Sequence, residues 1–129
     1  MIVVDSSVWI NNLRNAGSPS AKKLMEITNP RHIIVGDLVL LEVLKGAQNH
    51  KHAEIIFSLL KQYRIEPMSD ADVAVQAAAN FRHLRSKGIT IRKTIDLIIG
   101  TFCIENGHQL LHDNRDFAPM AEHLGLQIY

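Results

Sequence analysis

A chain of 129 residues with 47% apolar residues can bury one hydrophobic core and is too apolar to remain disordered. No apolar run approaches the roughly 20 residues that a membrane-spanning helix needs, and the N-terminus lacks the basic segment that opens a signal peptide. The single cysteine, Cys103, cannot form an internal disulfide, which fits a cytoplasmic protein. The net charge of +1 neither requires nor excludes a nucleic-acid partner. We expect one domain over residues 1–129.

The first half of the chain alternates short apolar runs with longer amphipathic patterns. Strands are predicted at 2–4 and 32–35. Helices are predicted from the cap Ser6 to Leu13, from Ser18–Pro19 to Ile27, from the cap Asp37 to Lys45, and over about 51–63. The helix that ends at Lys45 is apolar nearly all round, which predicts that most of its sides are buried.

The second half continues the same alternation. Strands are predicted at 64–67, 109–112 and 126–129. Helices are predicted over 71–87 with the cap Asp70, over 95–105 with the cap Thr94, and over 116–123. Short continuous apolar strands separated by helices are typical of a parallel sheet with helices on both faces. The sequence therefore predicts an α/β fold.

Acidic residues follow two of the predicted strands. Asp5 ends the first strand, Asp113 follows the strand at 109–112, and Asp116 lies one helical turn further along. In parallel sheets the reactive groups gather beyond the carboxyl ends of the strands, so we expect these acids at one edge of the sheet. For Asp5 alone, a helix N-cap is an equally good interpretation.

Two further acids stand in apolar surroundings. Glu42 interrupts a helix of leucines and valines, and a buried carboxylate needs a partner. That partner is either a basic side chain or a cation shared with other carboxylates. Asp96 lies in the first turn of a helix of branched aliphatic residues, where it could simply complement the helix dipole. Several carboxylates at one sheet edge repel each other unless a cation joins them, and oxygen ligands favour Mg²⁺ or Mn²⁺ over zinc.

Four segments carry a resemblance to a known family. They read VVDSSVWI at 3–10, LEVLKG at 41–46, TIDLII at 94–99 and LLHDNRDF at 110–117. In this order they resemble the PIN-domain ribonucleases, and among them the VapC-like toxins of toxin–antitoxin pairs. The resemblance implies a three-layer α/β/α domain with a central parallel five-stranded sheet. It also implies a Mg²⁺- or Mn²⁺-dependent endoribonuclease that a small VapB-like antitoxin inhibits.

The resemblance assigns roles to particular side chains. It makes Asp5 and Asp96 the main metal ligands, Glu42 a ligand or a water-orienting carboxylate, and Ser7 a support for Asp5. The last segment departs from the family, whose pattern has two acids separated by one residue before the phenylalanine. Here Asn114 takes the first of those positions and Asp116 the second. We therefore predict that Asp116 is the fourth catalytic and metal-binding acid, with Asp113 as the substitute.

A group of basic residues precedes the helix that carries Asp96. It consists of Arg82, Arg85, Lys87, Arg92 and Lys93. The group either contacts an RNA backbone or forms an ordinary solvated helix face. A transfer RNA and a ribosomal RNA loop are both compatible substrates, and a homodimer is compatible with the sequence. An antitoxin is expected to lie along an apolar groove lined by residues such as Trp9 and Leu13, unless Trp9 belongs to the core.

Other functions fit the sequence less well. The His50-Lys51-His52 triplet has no carboxylate or cysteine at ligand spacing beside it, so surface histidines are a better interpretation than a zinc site. A phosphatase with a nucleophilic aspartate needs a second acid two residues after Asp5, where this chain has Ser7. No glycine-rich phosphate loop is present. The remaining alternative is a catalytically weak or silent PIN-like module that binds RNA or protein.

Overall fold

The fold is built around a sheet of five parallel strands. A computed structural model describes residues 1–14 and 17–129. The strands are β1 (Ile2–Val4), β2 (Ile33–Gly36), β3 (Arg64–Glu66), β4 (Gln109–Leu111) and β5 (Gln127–Ile128). Their order in the sheet is β3-β2-β1-β4-β5, and every neighbouring pair is parallel. The predicted α/β fold with a parallel five-stranded sheet is confirmed.

In the described part of the chain, seven α-helices cover the sheet. They are α1 (Ser6–Leu13), α2 (Pro19–Glu26), α3 (Asp37–Lys45), α4 (His50–Leu60), α5 (Ala71–Ser86), α6 (Thr94–Asn106) and α7 (Ala118–Leu124). Packing divides them into two groups, in which α1 contacts α2 and α3, α3 contacts α4, and α5 contacts α6 and α7. From β1 to β3 the chain moves toward one side of the sheet, and from β3 to β5 it moves toward the other side. Because parallel crossovers are right-handed, the two groups of helices lie on opposite faces of the sheet. The result is three layers.

The strand order reverses between β1 and β4. Successive strands run from β1 to β3 on one side, whereas β4 and β5 lie on the other. Val3, Val4 and Leu110 in these two central strands are fully buried, which fixes the strand ends rigidly. In open α/β sheets the crevice beyond such a reversal is the usual ligand site. Asp5 follows β1 at this point, and residues 112–116 follow β4.

Two predicted helix caps, Asp37 and Thr94, are wrong, and for α1 the structure selects one of the two caps that the sequence left open. The cap of α1 is Asp5 instead of Ser6, because the Asp5 side chain reaches the backbone N–H of Ser7. Asp37 is the first residue of α3 instead of its cap, and its carboxylate accepts from the N–H of Met68 at 3.0 Å. Thr94 is the first residue of α6, whose cap position is Lys93 without a side-chain hydrogen bond.

Two other predictions on helices are corrected. The predicted helix at 116–123 is a 3₁₀ turn, Arg115–Phe117, followed by α7, because the Asn114 side chain accepts from the N–H of Asp116 and starts the turn. The helix α3 is less buried than its apolar sequence indicates, since only Val39 and Val43 are buried and Leu41 is 51% exposed. In the described ranges no helix has the length and apolarity needed to cross a bilayer.

Candidate active site

Asp5 lies where β1 passes into α1, with only 2% of its surface exposed. Its Oδ2 atom accepts hydrogen bonds from the Ser7 backbone N–H at 3.1 Å and from the Ser7 hydroxyl at 2.6 Å. Its Oδ1 atom is buried and has no hydrogen-bond partner among the residues that the structure describes. The N-cap therefore accounts for one carboxylate oxygen and leaves the other unsatisfied, which is costly for a buried polar atom.

Asp96 faces Asp5 from the first turn of α6 and is 3% exposed. Burial, followed by the negative charge of Asp5, raises the pKa of this carboxyl to about 6, and the charge of Glu42 adds to the increase. A hydrogen bond from the Asn114 side-chain amide to Asp96 Oδ2, 3.1 Å long, acts in the opposite direction. A helix dipole alone would lower the pKa, so burial and, after it, the carboxylate neighbours outweigh the dipole at this position.

Glu42 approaches the same point from α3 and is half-buried. Its Oε1 atom accepts a hydrogen bond from the Ser6 hydroxyl at 3.1 Å. Within the part of the chain that the structure describes, Glu42 forms none of the ion pairs. The basic partner that Glu42 could have had is thus replaced by a neutral hydroxyl, and the carboxylate lines the same cavity as Asp5 and Asp96.

The segment after β4 places its two acidic residues in different environments. The Asp113 carboxylate accepts from the Asn11 amide at 2.6 Å and from the Ser20 hydroxyl, so it ties α1 to α2. Burial would raise the pKa of Asp113, but the hydrogen bonds from Ser20 and Asn11 lower it overall. Asp116 instead pairs with Arg92, whose Nη2 atom lies 3.1 Å from both carboxylate oxygens.

These side chains line one open cavity of about 870 Å³ at the carboxyl edge of the sheet. Its acidic lining residues are Asp5, Glu42, Asp96, Asp113 and Asp116. Its basic lining residues are Lys45, Arg92, Lys93 and Arg115. The structure therefore brings together all the acids that the sequence selected, and it encloses them with cations that can attract a polyanion.

The donor set fits a hard divalent cation. All the acidic side chains offer oxygen ligands, as Mg²⁺ and Mn²⁺ require, and Asp5 Oδ1 is a buried acceptor without a partner. In residues 1–14 and 17–129, no three acidic, histidine or cysteine side chains are already arranged around one metal position. Carboxylates without a cation between them repel, and Glu42 is held toward Ser6, so binding requires these side chains to close on the ion.

A protein-family model described as the PIN domain matches residues 2–123. The chain belongs to the PIN-domain family. It is 26% identical over 129 residues to ribonuclease VapC11 of Mycobacterium tuberculosis, a match that covers 98% of this chain and 96% of the relative. Its fold is similar to VapBC2 of Rickettsia felis bound to a promoter DNA fragment, with a TM-score of 0.77, 20% identity and coverage of 100% and 98% of the two chains. VapBC-1 of nontypeable Haemophilus influenzae gives a TM-score of 0.76, 18% identity and coverage of 100% and 97%.

Asn114, where the resemblance led us to expect an acid, makes contacts in three directions. Its amide donates to Asp96, its side-chain oxygen caps the 3₁₀ turn that carries Asp116, and its backbone N–H donates to His112 Nδ1 at 3.1 Å. An aspartate here would place a further negative charge against Asp96. The asparagine therefore positions Asp96 without adding to the carboxylate repulsion.

The predicted basic group divides between two locations. Arg92 and Lys93 line the acidic cavity, whereas Arg82 and Arg85 are exposed on α5 and do not line it. The Arg85 guanidinium lies 5.6 Å from the centre of the Phe81 ring. The sequence alone could not separate these two locations. Only the end of the basic group, Arg92 and Lys93, lies in the turn that connects α5 to α6 at the site.

Three polar residues of the cavity were not selected as site residues from the sequence. Lys45 lies three residues after Glu42 and hence on the same face of α3. Arg115 stands between the two polar residues that were selected, and Ser6 was read as a cap although its hydroxyl binds Glu42. The helical spacing of Glu42 and Lys45 is a signal that the sequence does contain.

Proposed function

We propose that this PIN domain is a metal-dependent endoribonuclease and the toxin of a toxin–antitoxin pair, acting in the cytoplasm as a single domain over residues 1–129. One observation carries the proposal. Two buried carboxylates, Asp5 and Asp96, face each other at the end of the central strand, one with a raised pKa and the other with an unpartnered oxygen. Such an arrangement is unfavourable for the isolated protein and favourable for holding a cation.

We propose Mg²⁺ or Mn²⁺ as the cation, with Asp5, Asp96 and Glu42 as the residues that hold it and Asp116 as the fourth acid. When bound, such an ion acidifies a coordinated water so that it can attack a phosphodiester, and stabilises the developing charge on the phosphate. The chain's own contribution is orientation. Ser7 fixes the Asp5 carboxylate through two hydrogen bonds, and Glu42, held by Ser6, can orient a water.

We propose that the basic lining residues hold the RNA backbone. Lys45, Lys93 and Arg115 share the cavity with the acids but form none of the ion pairs among the described residues. A phosphate that enters the cavity would therefore find these cations beside the carboxylates. The cavity is open, so it can admit a single strand or a loop of either a transfer RNA or a ribosomal RNA.

Removal of the metal should abolish the activity. Purified protein is expected to cleave RNA in Mg²⁺ or Mn²⁺, to lose cleavage completely after dialysis against EDTA, and to recover it when the metal returns. The readout is the appearance of discrete fragments on a denaturing gel, with Ca²⁺ as a control for charge neutralisation alone. Binding of RNA without cleavage under every metal condition would instead identify the chain as a silent PIN-like binding module.

The location of the basic residues predicts two different effects on RNA affinity. Lys93→Ala with Arg115→Ala should lower the slope of log binding constant against log salt by about 1.4, because each lost phosphate contact on a single strand contributes about 0.7. Arg82→Ala with Arg85→Ala removes the same charge outside the cavity and should leave the slope unchanged. Fluorescence anisotropy with labelled RNA in EDTA measures both. A larger change of slope in the Arg82/Arg85 variant would indicate that the RNA binds along α5 instead.

Substitutions of Asp116 and of Asp113 are expected to affect different properties, the first the cleavage rate and the second the stability. Asp116→Asn should lower the cleavage rate by about 10- to 100-fold with little change in stability, because Asp116 faces the cavity. Asp113→Ala should retain most activity but lose about 1–2 kcal/mol of unfolding free energy, because it removes the acceptor shared by Asn11 and Ser20. Single-turnover kinetics and urea unfolding of both variants separate the effects. A greater loss of rate in the Asp113 variant would make it the fourth acid.

The proposed partner is a small VapB-like antitoxin. Structures with a similar fold are VapBC assemblies, and this chain presents exposed apolar side chains on three helices of one layer. They are Leu13 on α1, Leu41 on α3, and Ile55, Phe57 and Leu59 on α4. We propose that the antitoxin covers this surface and reaches into the cavity. A homodimer of the chain is a second proposed assembly.

A further inference from the structure

Arg92 is held at the acidic cavity by the carboxylate that the metal would otherwise use. Its Nη2 atom lies 3.1 Å from both oxygens of Asp116, while 76% of the arginine side chain and 22% of the aspartate side chain are exposed. Both residues line the cavity. The guanidinium therefore occupies the space in front of Asp116 on the cavity side, where a cation bound to that carboxylate would stand.

The side chain two residues before Asp116 does not supply a second carboxylate beside it. Asn114 is neutral, and its amide group donates to Asp96 Oδ2 at 3.1 Å. Its side-chain oxygen is also engaged, because it accepts from the N–H of Asp116. Neither end of the Asn114 side chain is free to coordinate an ion beside Asp116, and the other acid of this segment, Asp113, is bound by Asn11 and Ser20.

The charges of the cavity support the same conclusion. With Asp116 neutralised by Arg92 and Asp113 held away, Asp5, Glu42 and Asp96 remain as the uncompensated acids. Carboxylates are the groups that hold hard divalent cations. Three carboxylates are well matched to one such ion. A second ion would have only Asp116, and it would have to displace an arginine to use it.

We infer that Arg92 takes the place of a second divalent cation, so that this PIN domain binds one metal ion at Asp5, Asp96 and Glu42 and uses a guanidinium beside Asp116. The inference rests on the proposed function, because it assumes that the acidic cavity binds a metal. Arginine is suited to this position since it is always charged and its planar donors match a carboxylate. It is a positioning residue whose charge, unlike that of an ion, is not removed by chelation.

The test is the number of Mn²⁺ ions bound per chain, measured by calorimetric titration and by electron paramagnetic resonance, without RNA. Wild-type protein should bind one Mn²⁺ and give the spectrum of an isolated ion. The double variant Arg92→Gln with Asn114→Asp restores an acid and removes the resident cation, so it should bind two and give the spectrum of a coupled pair. Arg31→Gln removes an exposed arginine at the opposite edge of the sheet, before β2, and should bind one.

The outcomes separate this inference from the proposed function. Binding of two Mn²⁺ ions by the wild-type protein, or of one by a double variant with wild-type circular dichroism, would overturn the inference and leave the metal-dependent nuclease intact. Binding of no Mn²⁺ by the wild-type protein would overturn the proposed metal site itself. Loss of the single wild-type ion in Asp5→Asn shows that the counted ion is the one at the buried acids; retention of that ion in Asp5→Asn would place it elsewhere and overturn the inference.

Discussion

Asp96→Asn should remove RNA cleavage and at the same time make the metal-free protein more stable. A bound metal lowers the barrier by several kcal/mol, and each 1.36 kcal/mol is a factor of ten, so loss of a ligand is expected to cost on the order of a thousandfold or more in rate. Asp5→Asn should have a similar effect on the rate. Single-turnover cleavage at saturating Mg²⁺ measures it. Cleavage at the wild-type rate in either variant would overturn the metal assignment.

The gain in stability follows from the pKa of Asp96. The carboxyl titrates near 3.8 when unfolded and near 6 when folded, so between these values the folded state binds more protons and stability falls as pH rises. Above pH 6 the loss is complete and amounts to about 1–3 kcal/mol. Below pH 4 it vanishes. Asp96→Asn should abolish this dependence, and urea unfolding in EDTA at pH 4, 5 and 7 would show the two proteins diverging as pH rises.

Asp72 provides the matched control. It lies in the first turn of α5 as Asp96 does in α6, but it is exposed and lines no part of the cavity. Asp72→Asn therefore removes the same interaction with a helix dipole, which contributes about 0.3–1 kcal/mol, and should lower stability slightly without changing cleavage. If Asp96→Asn also lowers stability in EDTA, then its carboxylate serves the helix dipole and the repulsion among the acids is not the dominant effect.

The proximity of the acids could be predicted from the sequence because two general rules apply to them. Continuous apolar strands separated by helices predict a parallel sheet, and the carboxyl ends of parallel strands meet at one edge. Asp5 follows β1 directly, and Asp116 lies in the short segment after β4, so their proximity required no knowledge of side-chain contacts. Glu42 and Asp96 were recognised differently, as charges in helices whose other residues are apolar.

What the sequence did not predict depends on tertiary contacts. Thr94 and Ser6 are good caps by residue type, but the backbone enters each helix one residue earlier than that rule places it. The ion pair of Arg92 with Asp116 joins residues 24 positions apart, and periodicity carries no information on such a pair. Nor does an apolar pattern say what covers a helix, and Leu41 on α3 is exposed for that reason.

The second large expected effect is inhibition of RNA cleavage by the proposed antitoxin, which we expect to bind along the exposed side of α3 and α4. A groove of about 340 Å³ runs between α1, α3 and α4, and its apolar lining is Ile10, Leu13, Val43 and Ile56. Ile10 and Gly46 line both this groove and the acidic cavity, so the two are contiguous. Trp9 is 4% exposed and belongs to the core. Of the two groove residues expected from the sequence, Trp9 and Leu13, only Leu13 is therefore accessible to a partner.

An antitoxin segment that fills this groove with apolar side chains would bring its next residues to the carboxylates. Arginine is the side chain that best blocks them, since its planar guanidinium binds a carboxylate through two hydrogen bonds. We expect the complex to cleave RNA at least about 100-fold more slowly than the free protein, as loss of a few kcal/mol of metal or substrate binding implies. It should also bind Mn²⁺ more weakly, because the arginine and the ion compete for Asp5, Glu42 and Asp96.

Leu13→Asp tests the groove without touching the acids. Leu13 is 39% exposed, so the variant should fold and cleave RNA normally, yet a charge in an apolar interface should prevent the antitoxin from binding. Cells that express this variant should stop growing even when the antitoxin gene is present. Val75→Asp places the same charge at a residue that is 73% exposed on α5, on the other face of the sheet, and should be inhibited like the wild-type protein. A stable wild-type complex with undiminished cleavage and Mn²⁺ affinity would rule out inhibition at the acidic cavity, and equal inhibition of both variants would place the antitoxin outside the groove.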